Sequence, residues 1–382
     1  MRTRLLDFLR CPDCGGTLEL VRLVTDPAAS DEVSEGLLHC ARQHWFPVVR
    51  GIPRMLPDAL EEHWDQIARH VTDSSPEPVR SLMATRGRQA GSALYDRRTR
   101  ENFSHEWDNH ELGGRTWGMG LEDRVEWFFL TPIRLPLEEL DGKVLLDAGC
   151  GNGSQSVAYT RLGLEVIAVD LSSGLEHGHA FRKLYPHARP EKVHFVQADL
   201  QHPPLAHASV DLIHSAGVLH HTPDTRKTFE TLCPLLRPAG TFYVWLYKHE
   251  RFVTPLVNTI RALTTRLPAA LFARMAQLMA VPFRGFCMAV NALGIRAYGR
   301  LSRREAALAL MDIFGAPYAH YFSYEEVADW FRAKGFEQMW LCNESRRGFG
   351  VCGRLAAMKS QPAQTPEPFA QPALASVHGG EA

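Results

Sequence analysis

Residues 143–153 read Lys-Val-Leu-Leu-Asp-Ala-Gly-Cys-Gly-Asn-Gly, and this stretch decides the fold of the chain. Its apolar run, 144–146, is typical of a buried strand in a parallel sheet. The run is followed by glycines at alternate positions, Gly149, Gly151 and Gly153. Such glycines allow a sharp turn and a close approach of the backbone to a ligand. Because residues 154–162 have helical character, the stretch predicts the strand, glycine loop and helix that begin a doubly wound α/β fold.

Three aspartates near this loop indicate which kind of ligand it binds. Asp147 precedes the first glycine, where a carboxylate would repel a pyrophosphate but suits a positively charged ligand such as S-adenosylmethionine (SAM). Asp170 ends the second predicted strand, where an acidic residue can bind the ribose hydroxyls of an adenosine cofactor. Asp199 follows the third, within reach of an adenine amino group. The alternative, a nicotinamide-binding domain, requires a glycine where Ser154 stands and leaves Asp147 unexplained.

Residues 141–248 resemble the class I SAM-dependent methyltransferases, in the broad group that contains the ubiquinone and menaquinone methyltransferases. The resemblance is carried, in order, by 147–153, 169–170, 198–199, 210–213 with the exit loop 217–224, and 235–240. Ala239 stands where the family usually has glycine. The resemblance implies a seven-stranded Rossmann-like sheet of α/β class, with SAM as the cofactor at the carboxyl ends of the strands. The residues expected at that cofactor site are Asp147, Gly149, Gly151, Gly153, Asp170, Asp199, Leu200 and Ser215.

Residues 1–57 are predicted to form a small N-terminal module around a metal. Cys11-Pro-Asp-Cys14 is a knuckle whose two thiolates can bind one ion, and Cys40-Ala-Arg-Gln-His44 supplies a second pair of ligands. Three thiolates and an imidazole form a closed tetrahedral zinc site, which is structural because no position stays open for chemistry. The module is too small to hold a large core, so the metal would supply much of its folding free energy.

Residues 44–57 resemble the end of the small zinc-ribbon family that includes the activator subunit of tRNA and protein methyltransferases. That family often has a second Cys-x-x-Cys knuckle. Here Gln43 replaces its last cysteine, and His44 is the natural substitute ligand, with His39 the less favoured choice because it adjoins Cys40. The alternative is a degenerate ribbon that folds without metal around its own aromatic and aliphatic side chains.

Three further segments surround the predicted core. Residues 58–140 are expected to form a helical connector, in which Phe103-Ser-His-Glu-Trp107 resembles a segment that can close over the cofactor in methyltransferases with a fused ribbon. Simple packing of helices onto the sheet is the alternative. The methyltransferase domain, 141–357, carries a helical insertion before strand six, 249–315, whose amphipathic spacing fits a substrate lid, a homodimer surface or a face for a lipid-like substrate or a membrane. The tail, 358–382, is rich in proline, alanine and glutamine and is predicted to be disordered.

Histidines are the candidate general bases. Methyl transfer from SAM is an in-line displacement, and a base is needed only if the acceptor must lose a proton. His220 and His221 follow the fourth predicted strand at the crevice, and His320 lies among tyrosines further along the chain. Imidazole titrates near neutral pH, so each is a candidate, although the histidine pair can also simply shape the loop.

These features favour an enzyme that methylates an oxygen or a carbon of a small-molecule metabolite. An rRNA or tRNA base methyltransferase is the first alternative, because the 23S rRNA guanine methyltransferases also join a Cys/His ribbon to this fold. A non-catalytic SAM-binding partner protein is the second. The net charge of −1 disfavours a nucleic-acid substrate, which usually demands a basic face.

Cysteine usage and hydropathy bear on the compartment. Of the eight cysteines, three cluster near the N-terminus and five are scattered, which is not a disulfide framework and indicates a reducing compartment. No apolar targeting segment precedes Cys11, and no uncharged apolar run has the length of a membrane span. We therefore expect a cytoplasmic protein without a transmembrane segment.

Overall fold

The chain opens with a small antiparallel sheet. The computed structural model describes residues 1–26, 29–84, 97–108, 110, 113–250, 253–293 and 301–357. The first four strands pair in chain order and are β1 (Leu18–Asp26), β2 (Ala29–Cys40), β3 (Trp45–Val49) and β4 (Ile52–Pro53). Every residue of β3 and β4 is buried. Leu37 of β2 and Trp45 and Val49 of β3 belong to a separate apolar cluster on this sheet.

Short helices connect this sheet to the core. They are α1 (Ala59–Glu62), α2 (Trp64–Ala68), α3 (Glu77–Ala84), α4 (Arg97–Asp108), α5 (Leu121–Val125) and α6 (Thr131–Ile133), with a π-helical turn at Glu126–Leu130. The pattern of residues 59–70 predicts one helix, ended by the proline-containing segment 74–78. The structure has two helices, because the backbone leaves the helical region at His63 (φ −105°, ψ 13°). Helix α3 begins at Glu77, inside the segment that was expected to break the helix.

The core is a seven-stranded sheet with strand order β10-β11-β9-β8-β5-β6-β7. Its strands are β5 (Val144–Ala148), β6 (Glu165–Asp170), β7 (Val193–Gln197), β8 (Val210–Ala216), β9 (Leu236–Tyr247), β10 (Phe336–Cys342) and β11 (Gly348–Leu355). Only β11 runs antiparallel to its neighbours. All of β5 and β7 is buried, as expected for strands covered by helices on both faces. The predicted doubly wound fold is confirmed.

The remaining helices cover this sheet and form the insertion. They are α7 (Ser154–Tyr159), α8 (Leu175–Phe181), α9 (Thr225–Leu232), α10 (Val253–Thr264), α11 (Ala269–Ala292), α12 (Arg303–Gly315) and α13 (Tyr324–Ala333). Helices α10 to α12 stand between β9 and β10, which confirms a helical insertion before the sixth strand of the sheet. Ser302 and Glu305 form a capping box that fixes the start of α12. Several apolar side chains of α10 and α11 are exposed, and the three interpretations of the insertion stay predictions.

The N-terminal sheet docks at the β7 edge of the core sheet. Arg54 forms a parallel bridge with Gln197, and the Met55 amide donates to the Gln197 carbonyl over 2.8 Å. The Arg54 side chain is 1% exposed and donates to Glu176 at the start of α8 over 2.6 Å. Backbone pairing and a buried ion pair therefore hold the two parts of the chain together.

Candidate cofactor and acceptor site

The glycine loop after β5 uses backbone angles that other residues adopt with difficulty. Gly149 and Gly151 have φ values of 86° and 57°. A Cβ atom on Gly149 would overlap the Val218 side chain, and one on Gly151 would lie 2.5 Å from the Trp107 ring. Gly153, also at positive φ, ends the loop directly before α7. The loop can therefore present its backbone to a ligand only while these positions are glycine.

Asp170 joins the end of β6 to this loop. Its Oδ2 accepts from the Gly151 amide over 2.7 Å, and its Oδ1 accepts from the amide (2.8 Å) and hydroxyl (2.6 Å) of Ser172. Burial raises the pKa of Asp170 above its ordinary value, although these hydrogen bonds act in the opposite direction. Each carboxylate oxygen has two acceptor sites, so Oδ2 of Asp170 keeps one site for a further donor such as a ribose hydroxyl.

Asp147 lies beneath the loop rather than on its open side. Its Oδ2 accepts from the Ser156 hydroxyl over 2.6 Å, and its Oδ1 accepts from His214 Nδ1 over 3.0 Å. The side chain is 5% exposed. Ser156 on α7 and His214 on β8 therefore hold the Asp147 carboxylate in place at the end of β5.

The other predicted cofactor residues lie at neighbouring strand ends. Asp199 follows β7 and accepts from the Gln201 amide over 2.9 Å, while Leu200 is buried beside it. Ser215, near the end of β8, donates to the Ala148 carbonyl over 2.9 Å and so ties β8 to β5. The structure thus places all eight at the carboxyl ends of β5 to β8 or in the loops that follow.

Helix α4 covers the crevice. The Trp107 side chain contacts Gly151 and also Gly174, which follows β6. A Cβ added to Gly174 would lie 2.6 Å from the Trp107 Cβ. One turn earlier, the Phe103 ring meets His221 edge-on, with 5.3 Å between the ring centres. The two aromatic residues therefore span the site from the glycine loop to the exit loop of β8.

Glu106 lies in the same turn of α4, within the segment 103–107 that resembles a cofactor-covering segment, but it was not predicted as a site residue. The residue is 1% exposed, and its Oε2 has no hydrogen-bond partner among the described residues. Burial, reinforced by the charges of Asp312 and Asp170, raises the pKa of Glu106 well above its ordinary value of 4.5. A buried carboxyl with a vacant acceptor suits a ligand that carries positive charge.

The histidine pair lies in a polar network built by three distant elements. His221 Nδ1 donates to the Tyr318 carbonyl over 2.8 Å, and its Nε2 lies 3.3 Å from Asp312 Oδ1 on α12. The Tyr247 hydroxyl, at the end of β9, donates to Asp312 Oδ2 over 2.5 Å. Asp312 and Tyr247 were not singled out from the sequence, because nothing local marks them.

His220 and His320 have different surroundings. His220 is fully buried, its ring centre lies 3.9 Å from that of Tyr247, and neither ring nitrogen has a partner among the described residues. Burial lowers the pKa of His220 well below its ordinary value, so its imidazole is neutral. His320 donates its amide to the His220 carbonyl over 2.9 Å, and it lines a surface cavity of about 450 Å³ beside Asp224 and Glu326.

The predicted metal ligands lie together in the N-terminal sheet. The ligand atoms of Cys11, Cys14, Cys40 and His44 all lie within 4.8 Å of one another. Cys14 Sγ is 3.7 Å from Cys40 Sγ, and His44 Nδ1 is 3.3 Å from Cys11 Sγ and 3.5 Å from Cys40 Sγ. Tetrahedral zinc with ordinary bond lengths requires about 3.8 Å between sulfurs and about 3.5 Å from sulfur to nitrogen. The cluster therefore fits zinc in both donor type and spacing.

Comparison with known families separates the same two parts of the chain. The family described as methyltransferase domain matches residues 146–244, which run from β5 to β9 and include the glycine loop. The chain carries a methyltransferase domain. Residues 2–51 match the family described as Trm112p-like protein, which covers all four metal ligands. Both resemblances seen in the sequence are thereby confirmed.

Individual relatives align with part of the chain. An uncharacterized chloroplastic methyltransferase of Arabidopsis thaliana is 30% identical over 44% of the chain and 45% of its own length. The ubiquinone biosynthesis O-methyltransferase of Aromatoleum aromaticum is 29% identical over 35% of the chain and 57% of its own length. The solved 1,6-didemethyltoxoflavin-N1-methyltransferase of Burkholderia thailandensis is 18% identical, with a TM-score of 0.35 over 60% of the chain and 78% of its own. The chain thus spans roughly half the length of these two curated relatives.

None of the helices within the described ranges combines the length and the apolar character that a membrane span requires.

Proposed function

We propose that this protein transfers a methyl group from SAM to an oxygen or carbon of a small-molecule acceptor. The observation that carries the proposal is Asp170, which accepts from the Gly151 amide within a glycine loop of the methyltransferase domain. The curated relatives include O-methyltransferases of ubiquinone biosynthesis, which favours an oxygen acceptor. The crevice, with acidic groups and open backbone, is suited to the adenosine and the positive charges of SAM.

SAM, when bound, supplies a methyl group already activated by its sulfonium. The protein residues hold it: Asp170 offers an acceptor for a ribose hydroxyl, and the glycine loop offers close backbone approach. Helix α4 excludes water from the site through Phe103 and Trp107. Holding donor and acceptor in line can contribute about 7–11 kcal/mol to the lowering of the barrier, so positioning is the main task.

His220 and His221 differ in their fitness as a base. His221 Nδ1 donates to the Tyr318 carbonyl, and Nε2, which has no hydrogen-bond partner among the described residues, lies 3.3 Å from Asp312 Oδ1. The His221 side chain is 3% exposed, so an acceptor cannot reach Nε2 in this conformation. His220 is neutral and has two unpartnered nitrogens, but it is fully buried against Tyr247. A change of loop conformation would therefore precede catalysis by either residue.

We further propose that the Trm112p-like segment binds one structural zinc through Cys11, Cys14, Cys40 and His44. The four ligands leave no open coordination position, so zinc would stabilise the N-terminal sheet and take no part in methyl transfer. The same segment is what supports the second candidate function, methylation of an RNA base, because Trm112p-like modules accompany tRNA methyltransferases. The net charge of −1 speaks against an RNA substrate.

Calorimetric titration with SAM tests the main proposal. Wild type is expected to bind, and Asp170→Ala is expected to bind about 10- to 100-fold more weakly, because a hydrogen bond to a charged group contributes about 1.5–3 kcal/mol. Asp65→Ala removes an exposed aspartate on α2 and is the matched control, with unchanged affinity expected. A folded wild-type protein that does not bind SAM would overturn the proposal. Labelled SAM offered with hydroxylated metabolites or with RNA transcripts then distinguishes the two acceptor classes.

A further inference from the structure

Glu106 is held in a position that costs free energy without a ligand. Helix α4 is fixed at one end by Trp107 on Gly151 and Gly174, and one turn earlier by Phe103 against His221. Residues three and four apart lie on one face of a helix, so Glu106 is directed to the same crevice as both aromatic rings.

The surroundings of Glu106 are mainly acidic on the buried side. Asp312 from α12 and Asp170 from β6 are the charges that act on it most strongly. The Tyr247 hydroxyl also lies on this side and donates to Asp312, whose other oxygen is 3.3 Å from His221 Nε2. The groups that face it from the open side are His110, Arg115, Arg303, Arg304 and Glu305.

A cavity connects Glu106 with that open side. The cavity has a volume of about 310 Å³ and lies between α4, α11 and α12. Glu106 and Met311, each 1% exposed, form its deepest part. The arginines Arg115, Arg303 and Arg304 stand at its exposed mouth. A proton that leaves Glu106 therefore has a path to solvent that does not require α4 to open.

An unpaired carboxylate in this position would be buried beside two other carboxylates, which is strongly unfavourable. An uncharged carboxyl group avoids that repulsion but leaves Oε2 without a partner. A positive charge in the crevice between Asp170, Glu106 and Asp312 removes both problems at once. The sulfonium of SAM is a cation of the required kind, and an ammonium group on an acceptor is the other source of the same chemistry.

We propose that Glu106 is uncharged in the closed, ligand-free site and becomes the counter-ion of the sulfonium when SAM binds. The inference rests on the proposed function, since it takes SAM as the ligand. Glu106 gives up one proton to solvent on binding, and no other bond changes. In this arrangement α4 closes favourably over the sulfonium of the methyl donor and less favourably over the neutral thioether of the product, S-adenosylhomocysteine (SAH).

Proton release measured by calorimetry tests this inference without any need for turnover. SAM and SAH are each titrated into the full-length protein at about pH 7 in phosphate and in Tris, whose ionisation enthalpies differ. For wild type we expect up to about one proton more to be released by SAM than by SAH. SAH carries the same amino and carboxyl groups as SAM, so the difference isolates the sulfonium.

Two variants assign the proton. Glu106→Gln keeps the shape of the side chain and should abolish the difference between SAM and SAH. Glu101→Gln makes the same chemical change at an exposed position of α4 and should leave it intact. Equal release by SAM and SAH in wild type, or an undiminished difference in Glu106→Gln, overturns the inference while SAM binding still supports the proposed function. An ammonium-bearing acceptor as the true partner of Glu106 would give the first of these results.

Discussion

Asp312 Oδ1 lies 3.3 Å from His221 Nε2, so a carboxylate of the insertion fixes a histidine of the loop that follows β8. The partners of the two residues extend this contact in both directions, to the Tyr247 hydroxyl on one side and to the Tyr318 carbonyl on the other. The insertion is therefore not a mere addition to the surface. It contributes a carboxylate to the polar network around His221 and Tyr247.

The replacement Asp312→Asn should lower stability and also relieve Glu106. It weakens the hydrogen bond from Tyr247 and changes the contact with His221, and we expect a loss of about 1–3 kcal/mol in the free energy of unfolding. It also removes the negative charge that acts most strongly on Glu106, so the pKa of Glu106 should fall. Urea unfolding measures the first effect, and the proton release on SAM binding, which should decrease, measures the second. Asp329→Asn, an exposed position on α13, should change neither quantity, and equal behaviour of the two variants would contradict this account.

The replacement Gly151→Ala should destabilise the protein more than Gly217→Ala does. Both glycines have positive φ values, 57° and 79°, so alanine is strained by about 1–2 kcal/mol at either position. A Cβ on Gly217 meets no atom within 4 Å, whereas one on Gly151 lies 2.5 Å from the Trp107 ring. Overpacking should add about 1–3 kcal/mol at Gly151 only, as read from thermal unfolding of the two variants. Equal losses of stability in the two variants would show that Trp107 and α4 shift to accommodate the added methyl group without further cost.

Removal of one metal ligand should release zinc and loosen the N-terminal sheet. The wild-type protein is expected to hold about one zinc per chain, and Cys14→Ser to hold much less, because three ligands bind a structural ion poorly. Metal analysis of the purified proteins measures this. Cys233→Ala, which removes a buried cysteine beyond the cluster, should retain the metal. A wild-type protein that folds normally without any bound metal would favour the metal-free ribbon.

The ion pair between Arg54 and Glu176 should show strong coupling in a double-mutant cycle. Arg54 is 1% exposed and depends on Glu176 and on Gln197 for its hydrogen bonds. Glu176→Gln alone leaves a buried guanidinium short of its counter-charge and should cost about 1.5–3 kcal/mol. The pair Arg54→Met with Glu176→Gln should cost clearly less than the sum of the single variants in urea unfolding. Additive single costs would show that the pair contributes no interaction of its own.

His179 should make the protein sensitive to acid. Burial, with help from the nearby charge of Arg182, lowers the pKa of His179 from its ordinary value of 6.5 to about 3. At pH values between these two pKa values, His179 is protonated in the unfolded chain and neutral in the folded chain. The free energy of unfolding should therefore fall as pH falls through this window, by up to about 1.4 kcal/mol per pH unit from this group. His179→Gln should reduce that slope in urea titrations from about pH 6.5 to about pH 4. An unchanged slope would assign the acid sensitivity to other groups.

Structural features that depend only on neighbouring residues could be predicted from the sequence. The apolar run before Gly149 and the glycine spacing predict the strand and the loop, because both arise from neighbouring residues. The Ser323 cap with Glu326 three residues later likewise predicts a helix at 324–333, and α13 is found at Tyr324–Ala333. Ala239 stands where the family usually has glycine, but it still adopts a φ of 62°. The turn therefore has the left-handed backbone conformation that favours glycine, and this conformation is strained for alanine.

The charged centre of the site could not be predicted in this way. Glu106, Asp312 and Tyr247 lie on α4, α12 and β9, and they meet only because those elements pack together over the sheet. A single glutamate in a helix predicts a solvent-exposed side chain, because most glutamates in folded proteins are exposed. Only its burial beside two aspartates distinguishes Glu106.

The bridge between Arg54 and Gln197 has a consequence for how the chain behaves at high concentration. Strand β7 ends one side of the core sheet, and an open strand edge is a template on which another molecule can add a strand. The residues after β4 occupy part of that edge through the Met55 amide. The N-terminal module of residues 1–57 therefore shields the edge of the core sheet from self-association. A version that starts after residue 57 would expose a fresh β edge, and aggregation would precede any loss of cofactor affinity.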